Sequence, residues 1–131
     1  MDPLTFYFDR NIGKRLPEAL THLQTPFAVK WHNGEKFPDK MPDDEWMEIV
    51  GKKNWVILSQ DYKFHMEAFE HFAVKQHGLR CFYLPGTGAK TWTTACALVR
   101  AHKRMIELCE IEAAPFIFDL KTSGRLIKVK L

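Results

Sequence analysis

Three aspartates lie at places in the chain where carboxylates can converge. Asp9 ends the first apolar run, Asp61 comes just past the run "WVILS", and Asp43 opens a predicted helix. In a parallel sheet the carboxyl ends of neighbouring strands meet at one edge, so we expect these side chains to lie together. Clustered carboxylates repel one another and call for a hard divalent cation, and oxygen-only ligation favours Mg²⁺ or Mn²⁺. Such ions activate water and stabilise an in-line attack on a phosphodiester.

Polar side chains near these aspartates are candidates for contacts with a substrate. Asn11 can hold a water molecule or a carboxylate, while Arg10 and Lys63 can bind a substrate phosphate. Ordinary surface polarity explains each of the three equally well. The pattern therefore predicts a carboxylate site flanked by these three residues, with both explanations open for each.

A second stretch, "LPGTGAKT" from Leu84 to Thr91, has some features of a phosphate-binding loop. That motif needs glycine directly before the lysine and another glycine five residues earlier, because the backbone wraps the phosphates closely. Ahead of Lys90 those positions hold Ala89 and Leu84. A turn followed by a helix start, capped by Thr91 or Thr87, explains the stretch better.

Apolar periodicity predicts strands that alternate with helices along the chain. Continuous apolar runs indicate strands buried on both faces, and spacings of three and four indicate helices. Predicted strands cover 4–8, 27–31, 55–58 and 79–84, with a closing pair in "PFIFDL" and "RLIKVKL". Predicted helices begin near Arg15, at Asp43, near Phe64 with Gly78 as C-cap, and near Lys90, the last with Trp92, Ala95, Cys96, Val99 and Ile106 facing inward.

This alternation predicts an α/β fold, a three-layer α/β/α sandwich with a mostly parallel central sheet and right-handed crossovers. The 131 residues fit one domain, with no linker or internal repeat, so residues 1–131 are expected to fold as a single unit. In such sheets ligands bind beyond the carboxyl ends of the strands. The fold and the aspartates therefore predict the same edge of the sheet as the site.

Charge is unevenly distributed, although the net charge is only +3. Six acidic residues and two lysines lie between Glu35 and Glu48, whereas four basic residues and no acidic residue follow Asp119. An acidic pocket in basic surroundings suits a metal-dependent enzyme that acts on nucleic acid. Ordinary solvated charge explains this distribution equally well.

The composition and the spacing of the cysteines indicate the class of protein and the cellular compartment to expect. The start "MDPLTFYFDR" has no basic n-region or long apolar region, and no stretch approaches the ~20 apolar residues that cross a bilayer. Three cysteines without CxxC spacing argue against a disulfide framework or a zinc cluster. We therefore expect a soluble cytoplasmic protein with no membrane partner and with reduced thiols.

The segments "FYFDRNIGKRLPEAL" and "MPDDEWMEIVGKKNWVILSQDYKF" resemble the PIN-domain ribonucleases, specifically the short PIN-like branch with VapC-type toxins of toxin-antitoxin pairs. The resemblance implies that Asp9, Asp43 and Asp61 bind Mg²⁺ or Mn²⁺, with Asp61 in "SQD" matching the family's T-x-D. Longer PIN domains carry a further acidic residue on an intervening segment. Here Glu45 is the assigned replacement, with Glu35 and Asp39 as alternatives.

The resemblance implies a metal-dependent endoribonuclease, the toxin of a type II toxin-antitoxin pair. RNA is then the substrate, a cognate antitoxin protein the partner, and a homodimer the expected assembly. If the fourth strand lies beside the first, Lys90 lies near the acidic site and receives an RNA phosphate. The alternative is a catalytically silent PIN-like module that binds nucleic acid or protein through the same groove.

Overall fold

A computed structural model describes residues 3–60, 68–85 and 90–131 of the chain. Within these ranges the strands are β1 Thr5–Phe8, β2 Ala28–Trp31, β3 Val56–Ser59, β4 Arg80–Tyr83, β5 Phe116–Leu120 and β6 Leu126–Val129. The helices are α1 Arg15–Thr21, α2 Asp43–Lys52, α3 Ala68–His77 and α4 Thr91–Ile111. A short 3₁₀ turn, Arg10–Ile12, follows β1. The predicted order of strands and helices is confirmed.

The strands form one sheet in the order β2-β1-β3-β4-β5-β6. All neighbouring pairs from β2 to β5 are parallel, and β6 closes the sheet as the antiparallel partner of β5. Phe8 at the end of β1 is in register with Leu58 near the end of β3. The predicted neighbour relation between these two strands is therefore confirmed, and their carboxyl ends share one edge.

Both faces of the sheet are covered because side chains along each strand alternate in direction. Phe6 and Phe8 belong to one core, which is completed by α1 and α4. Tyr7 points to the opposite core, which is completed by α2 and α3. Continuous apolar runs were the signal for strands buried on both sides, and the three-layer α/β/α architecture is confirmed.

One crossover differs from the expected hand. The β1-α1-β2 connection moves toward one edge of the sheet and the β4-α4-β5 connection moves toward the other, yet α1 and α4 cover the same face. Two such connections must have opposite hands, so right-handed crossovers throughout are ruled out. As a result, α1 and α4 pack side by side on one face.

The buried side of α4 also differs from the prediction. Trp92 is 77% exposed and Val99 is 58% exposed, whereas Ala95, Cys96 and Ile106 are partly buried. The buried stripe is built instead from smaller or differently phased residues, namely Thr94, Ala97, Leu98, Ala101, Met105 and Leu108. Apolar residues occur nearly all round this helix, so the spacing alone did not fix which stripe packs on the sheet.

Two glycines with positive φ differ in whether an added side chain would also collide with a neighbour. Gly124, in the turn between β5 and β6, has φ +91°, and an added Cβ would lie 2.9 Å from the Arg100 Cβ. Gly78, which directly follows α3, has φ +61° with nothing within 4 Å of an added Cβ. Both need a left-handed backbone, but Gly124 alone of the two also meets α4.

We expect Gly124→Ala to lower the free energy of unfolding by about 2–3 kcal/mol and Gly78→Ala by about 1 kcal/mol. The first change adds a collision to the backbone cost, whereas the second adds the backbone cost alone. Urea unfolding followed by circular dichroism measures both. Equal losses for the two variants would show that the contact with Arg100 relaxes freely.

In the part of the chain that the structure describes, no helix is both long enough and apolar enough to span a bilayer.

Candidate metal centre

Asp9 occupies the point where β1 gives way to the 3₁₀ turn. Its backbone N–H donates to the Leu58 carbonyl over 2.9 Å, which fixes it against the end of β3. Its Oδ1 accepts the Arg10 backbone N–H at 2.6 Å, and its Oδ2 accepts the Ser59 hydroxyl at 3.3 Å. The residue is only 4% exposed. The apolar strand thus ends in a carboxylate held at the sheet edge by its neighbours.

Burial dominates the electrostatics of Asp9. Desolvation, reinforced by the nearby charge of Asp43, raises the pKa of Asp9 from 3.8 to about 6, against the hydrogen bonds from Arg10 and Ser59. Among the described residues no side chain forms an ion pair with Asp9. A buried carboxylate of this kind either takes up a proton or binds a cation.

Ser59 and Asn11 connect the two neighbouring strand ends. The Asn11 Nδ2 donates to the Ser59 Oγ at 3.1 Å, and the Gln60 backbone N–H donates to the Asn11 Oδ1 at 3.2 Å. Because Ser59 in turn donates to Asp9, these groups form a chain of hydrogen bonds ending on the carboxylate. The described contacts of the Asn11 side chain are with Ser59 and Gln60, so it orients Ser59, and its predicted hold on a water molecule or a carboxylate stays a prediction.

Sequence reasoning assigned no role to Ser59 or Gln60. Gln60 donates from Nε2 to the Pro85 carbonyl at 3.1 Å and to the Thr94 Oγ1 at 3.2 Å, and so links the site to β4 and α4. Ser59 and Gln60 belong to the segment "SQD", in which only the aspartate was predicted to have a role. Their place directly after a buried strand was the signal that could have identified them.

Asp43 opens α2, as predicted, and its carboxylate already has partners. Its Oδ1 accepts from the Arg10 Nη2 at 2.7 Å and from the Trp46 Nε1 at 2.9 Å. The Arg10 Nη1 donates to the carbonyls of Asp39 and Met41 at 2.6 and 2.8 Å. Arg10 therefore ties the acidic loop and the start of α2 to the end of β1.

The structure brings Asp9, Arg10, Asn11 and Asp43 together. Glu45 is exposed two residues further along α2, where the helix turns the side-chain direction by about 200° from that of Asp43. Asp61 and Lys63 lie outside the described residues. Their parts in metal and substrate binding, like that of Glu45, stay predictions.

The predicted phosphate contact of Lys90 required the fourth strand to lie beside the first, and it does not. Strand β4 lies beside β3 and not beside β1, so one strand separates it from the strand that carries Asp9. Lys90 is exposed and occupies the N-cap position of α4 without a capping side-chain bond. Helix α4 thus begins at Thr91, and Thr91 is not its cap. The four residues before Lys90, 86–89, lie outside the described ranges.

A buried pair behind Asp9 holds the loop that leads to α2. Tyr7 OH lies 2.8 Å from the His32 Nδ1, and the His32 Nε2 lies 2.9 Å from the Pro38 carbonyl oxygen. A carbonyl accepts only, so Nε2 carries a proton and donates to Pro38, while Nδ1 lies at hydrogen-bond distance from the Tyr7 hydroxyl. Burial raises the pKa of Tyr7, which keeps its hydroxyl a donor. Tyr7 and His32 thereby fix the base of the acidic loop.

The oxygen atoms at this edge suit the coordination of one hard cation on Asp9. Each Asp9 oxygen accepts one described hydrogen bond, and a carboxylate has about four lone-pair positions, so acceptor capacity remains. The neighbouring Ser59 and Asn11 oxygens match the preference of Mg²⁺ and Mn²⁺ for oxygen. Within residues 3–60, 68–85 and 90–131, no three histidine, cysteine, aspartate or glutamate side chains converge as a metal site.

Comparison with known proteins identifies a family for the part of the chain that contains this site. No curated protein and no solved structure matches the sequence. The model of a family described as PIN like domain matches residues 4–86, which is more than half of the chain. That range contains Asp9, Asp43 and the neighbouring ends of β1 and β3, and PIN-like domains form a superfamily of nucleases. The chain therefore belongs to the PIN-like domain family.

Proposed function

We propose that this protein is a metal-dependent endoribonuclease that hydrolyses RNA phosphodiesters. The observation that supports this most directly is the Asp9 carboxylate, which is 4% exposed at the carboxyl end of β1 and has no ion-pair partner among the described residues. The chain also belongs to the PIN-like domains, a superfamily of nucleases, which supports a catalytic role for a buried carboxylate at this position. The proposal assigns Asp9 and Asp61 as ligands of Mg²⁺ or Mn²⁺.

The side chains around Asp9 prepare its carboxylate for that role. The Arg10 N–H and the Ser59 hydroxyl fix its two oxygens, and Asn11 holds Ser59 in place. When bound, the divalent ion supplies water activation and stabilisation of the charge that develops on the phosphate. Lys63 is proposed to bind the RNA backbone as a phosphate contact.

A finer part of the proposal concerns biological context. We propose that the protein is the toxin of a type II toxin-antitoxin pair in the cytoplasm, inhibited by a small cognate antitoxin and assembled as a homodimer. Its support is the resemblance of "FYFDRNIGKRLPEAL" and "MPDDEWMEIVGKKNWVILSQDYKF" to VapC-type toxins. Co-purification with the product of a neighbouring gene, together with light scattering of the purified protein, tests both partners.

One observation favours the second candidate, a catalytically silent module that binds nucleic acid or protein. Asp43, assigned as a ligand on resemblance, already pairs with Arg10, and no three-carboxylate cluster occurs among the described residues. Under this alternative RNA binds at the same edge of the sheet without being cleaved. Cleavage and binding must therefore be measured separately.

We expect the purified protein to cleave single-stranded RNA with Mn²⁺ but not with EDTA. Asp9→Asn should reduce Mn²⁺-dependent cleavage roughly 100-fold or more, because the isosteric amide keeps the hydrogen bonds but lacks the negative charge. Gel analysis of end-labelled RNA measures cleavage, and isothermal titration with Mn²⁺ measures metal binding.

Asp44→Asn is the matched control, since it removes the same charge one residue after Asp43. Asp44 is exposed and pairs with His77 at 2.9 Å, on α3 and away from Asp9. We expect cleavage by this variant to stay within a few-fold of the natural protein. Cleavage that Asp9→Asn leaves unchanged would refute the proposed site, and RNA binding without cleavage would support the silent module.

A further inference from the structure

We propose that Arg10 takes the place of a second cation at this site, so that the chain holds one divalent ion, on Asp9, while Asp43 serves to hold Arg10. This inference rests on the proposed function and assigns Asp43 a role other than metal ligand. It concerns the number of ions, which in nucleases of this chemistry is one or two.

Asp43 receives two hydrogen bonds on one of its carboxylate oxygens. One oxygen, Oδ1, accepts from both the Arg10 Nη2 at 2.7 Å and the Trp46 Nε1 at 2.9 Å. Both lone pairs of Oδ1 are then used, so a metal ion can reach this carboxylate only through Oδ2, on a group that is already paired with the guanidinium. The indole that donates one of these bonds is fully buried, so the carboxylate cannot turn without losing it.

The Arg10 guanidinium is held by more than the Asp43 carboxylate. Its guanidinium also donates to the Asp39 and Met41 carbonyls at 2.6 and 2.8 Å, so three acceptors on one loop and helix start fix it. The Arg10 and Asp43 side chains are each 32% exposed, which strengthens their attraction relative to a fully solvated pair. Guanidinium does not lose its proton in proteins, so this positive charge is permanent.

Arg10 contacts both carboxylates, one through its backbone and the other through its side chain. Its backbone N–H donates to Asp9 at 2.6 Å while its side chain reaches Asp43. In a two-ion site the cations lie about 4 Å apart, and together they stabilise the attacking and leaving oxygens. A fixed guanidinium on Asp43 neutralises that carboxylate and repels a second divalent ion there. One permanent cation and one exchangeable cation then complete the site.

The test counts Mn²⁺ ions by isothermal titration and by the loss of the free-Mn²⁺ signal in electron paramagnetic resonance. The natural protein is expected to bind one ion, and Asp43→Asn is expected to retain it with affinity within about tenfold. Arg10→Gln is expected to bind two ions, because Asp43 is then free and uncompensated. Arg10→Lys keeps the charge and is expected to stay at one.

The double variant Arg10→Gln with Asp43→Asn identifies the second ligand, and it is expected to return to one ion. Loss of the single ion in Asp43→Asn would overturn the inference, since Asp43 would then be a ligand. One ion in a folded Arg10→Gln, as judged by circular dichroism, would overturn it as well.

Failure of this inference is distinguishable from failure of the proposed function. If the natural protein binds one Mn²⁺ that Asp9→Asn abolishes, the proposed metal site stands whatever Arg10→Gln does. If the natural protein binds no Mn²⁺, both proposals fall together. Lys14→Gln is the charge control for Arg10→Gln, since Lys14 is exposed and is expected to leave the ion count at one.

Discussion

Asp9→Asn is expected to raise the free energy of unfolding of the metal-free protein by about 2–3 kcal/mol near pH 8 and by almost nothing near pH 4. The native pKa of Asp9 is about 6, whereas its ordinary value is 3.8. Between these values the native state binds more protons than the unfolded state, so the stability of the natural protein falls as pH rises through this window. Above it the full cost of a buried charge remains, and asparagine removes that cost.

Asparagine suits this position because its hydrogen bonds can be kept. Its Oδ1 can accept the Arg10 N–H, and its amide can donate to the Ser59 hydroxyl, which also accepts. The substitution therefore isolates the charge. Active-site groups are often held in strained, destabilised environments, so replacing one can stabilise the fold while it abolishes activity.

Urea unfolding in EDTA at several pH values between about 4 and 8 measures this effect. Added Mn²⁺ should stabilise the natural protein and not Asp9→Asn, because ligand binding to the native state raises its stability. Asp44→Asn, at an exposed carboxylate, is expected to show only a small difference. A gain of the same size at every pH would show that it does not arise from the buried charge of Asp9.

The order of strands and helices was predictable from the sequence because short apolar runs alternate with segments of helical periodicity. Runs such as Thr5–Phe8 and Val56–Ser59 alternate between two cores, which only a sheet covered on both sides provides. The hand of the β4-α4-β5 crossover was not predictable in this way. It depends on which face α4 covers, and the apolar residues round α4 leave that choice to packing against α1.

The candidate site was predictable where a residue follows directly from its element. Asp9 ends β1 and Asp43 opens α2, and both places follow from local patterns. The ion pair between Arg10 and Asp43 joins residues 33 positions apart through a long side chain, and no local pattern encodes such a contact. Arg10 was therefore assigned to substrate phosphate, although in the structure its guanidinium already has three oxygen partners.

Trp46→Ala is expected to lower the free energy of unfolding by about 3–5 kcal/mol. The Trp46 side chain is fully buried in the core between α2 and the sheet, where its ring centroid lies 5.4 Å from that of Tyr7. Alanine leaves a cavity and removes the donor to Asp43. Since domains are stable by about 5–15 kcal/mol, this one change removes a large share of the total.

Two matched variants separate packing from hydrogen bonding. Trp92→Ala removes the same side chain at a position that is 77% exposed, and its effect is expected to stay within about 0.5 kcal/mol. Trp46→Phe keeps most of the buried apolar volume but lacks the Nε1–H, so a loss of about 1–2 kcal/mol reports the bond to Asp43. Urea midpoints with a common slope measure all three.

Trp46 connects core packing to the site, because the indole that fills the α2 core also holds the carboxylate that holds Arg10. If Trp46→Phe frees one lone pair of Asp43 Oδ1 while Arg10 stays in place, the Mn²⁺ count should remain one. A second ion in Trp46→Phe would show that the indole, and not the guanidinium, keeps Asp43 from binding metal. The pair of Arg10→Gln and Trp46→Phe titrations therefore decides which of the two donors sets the number of ions.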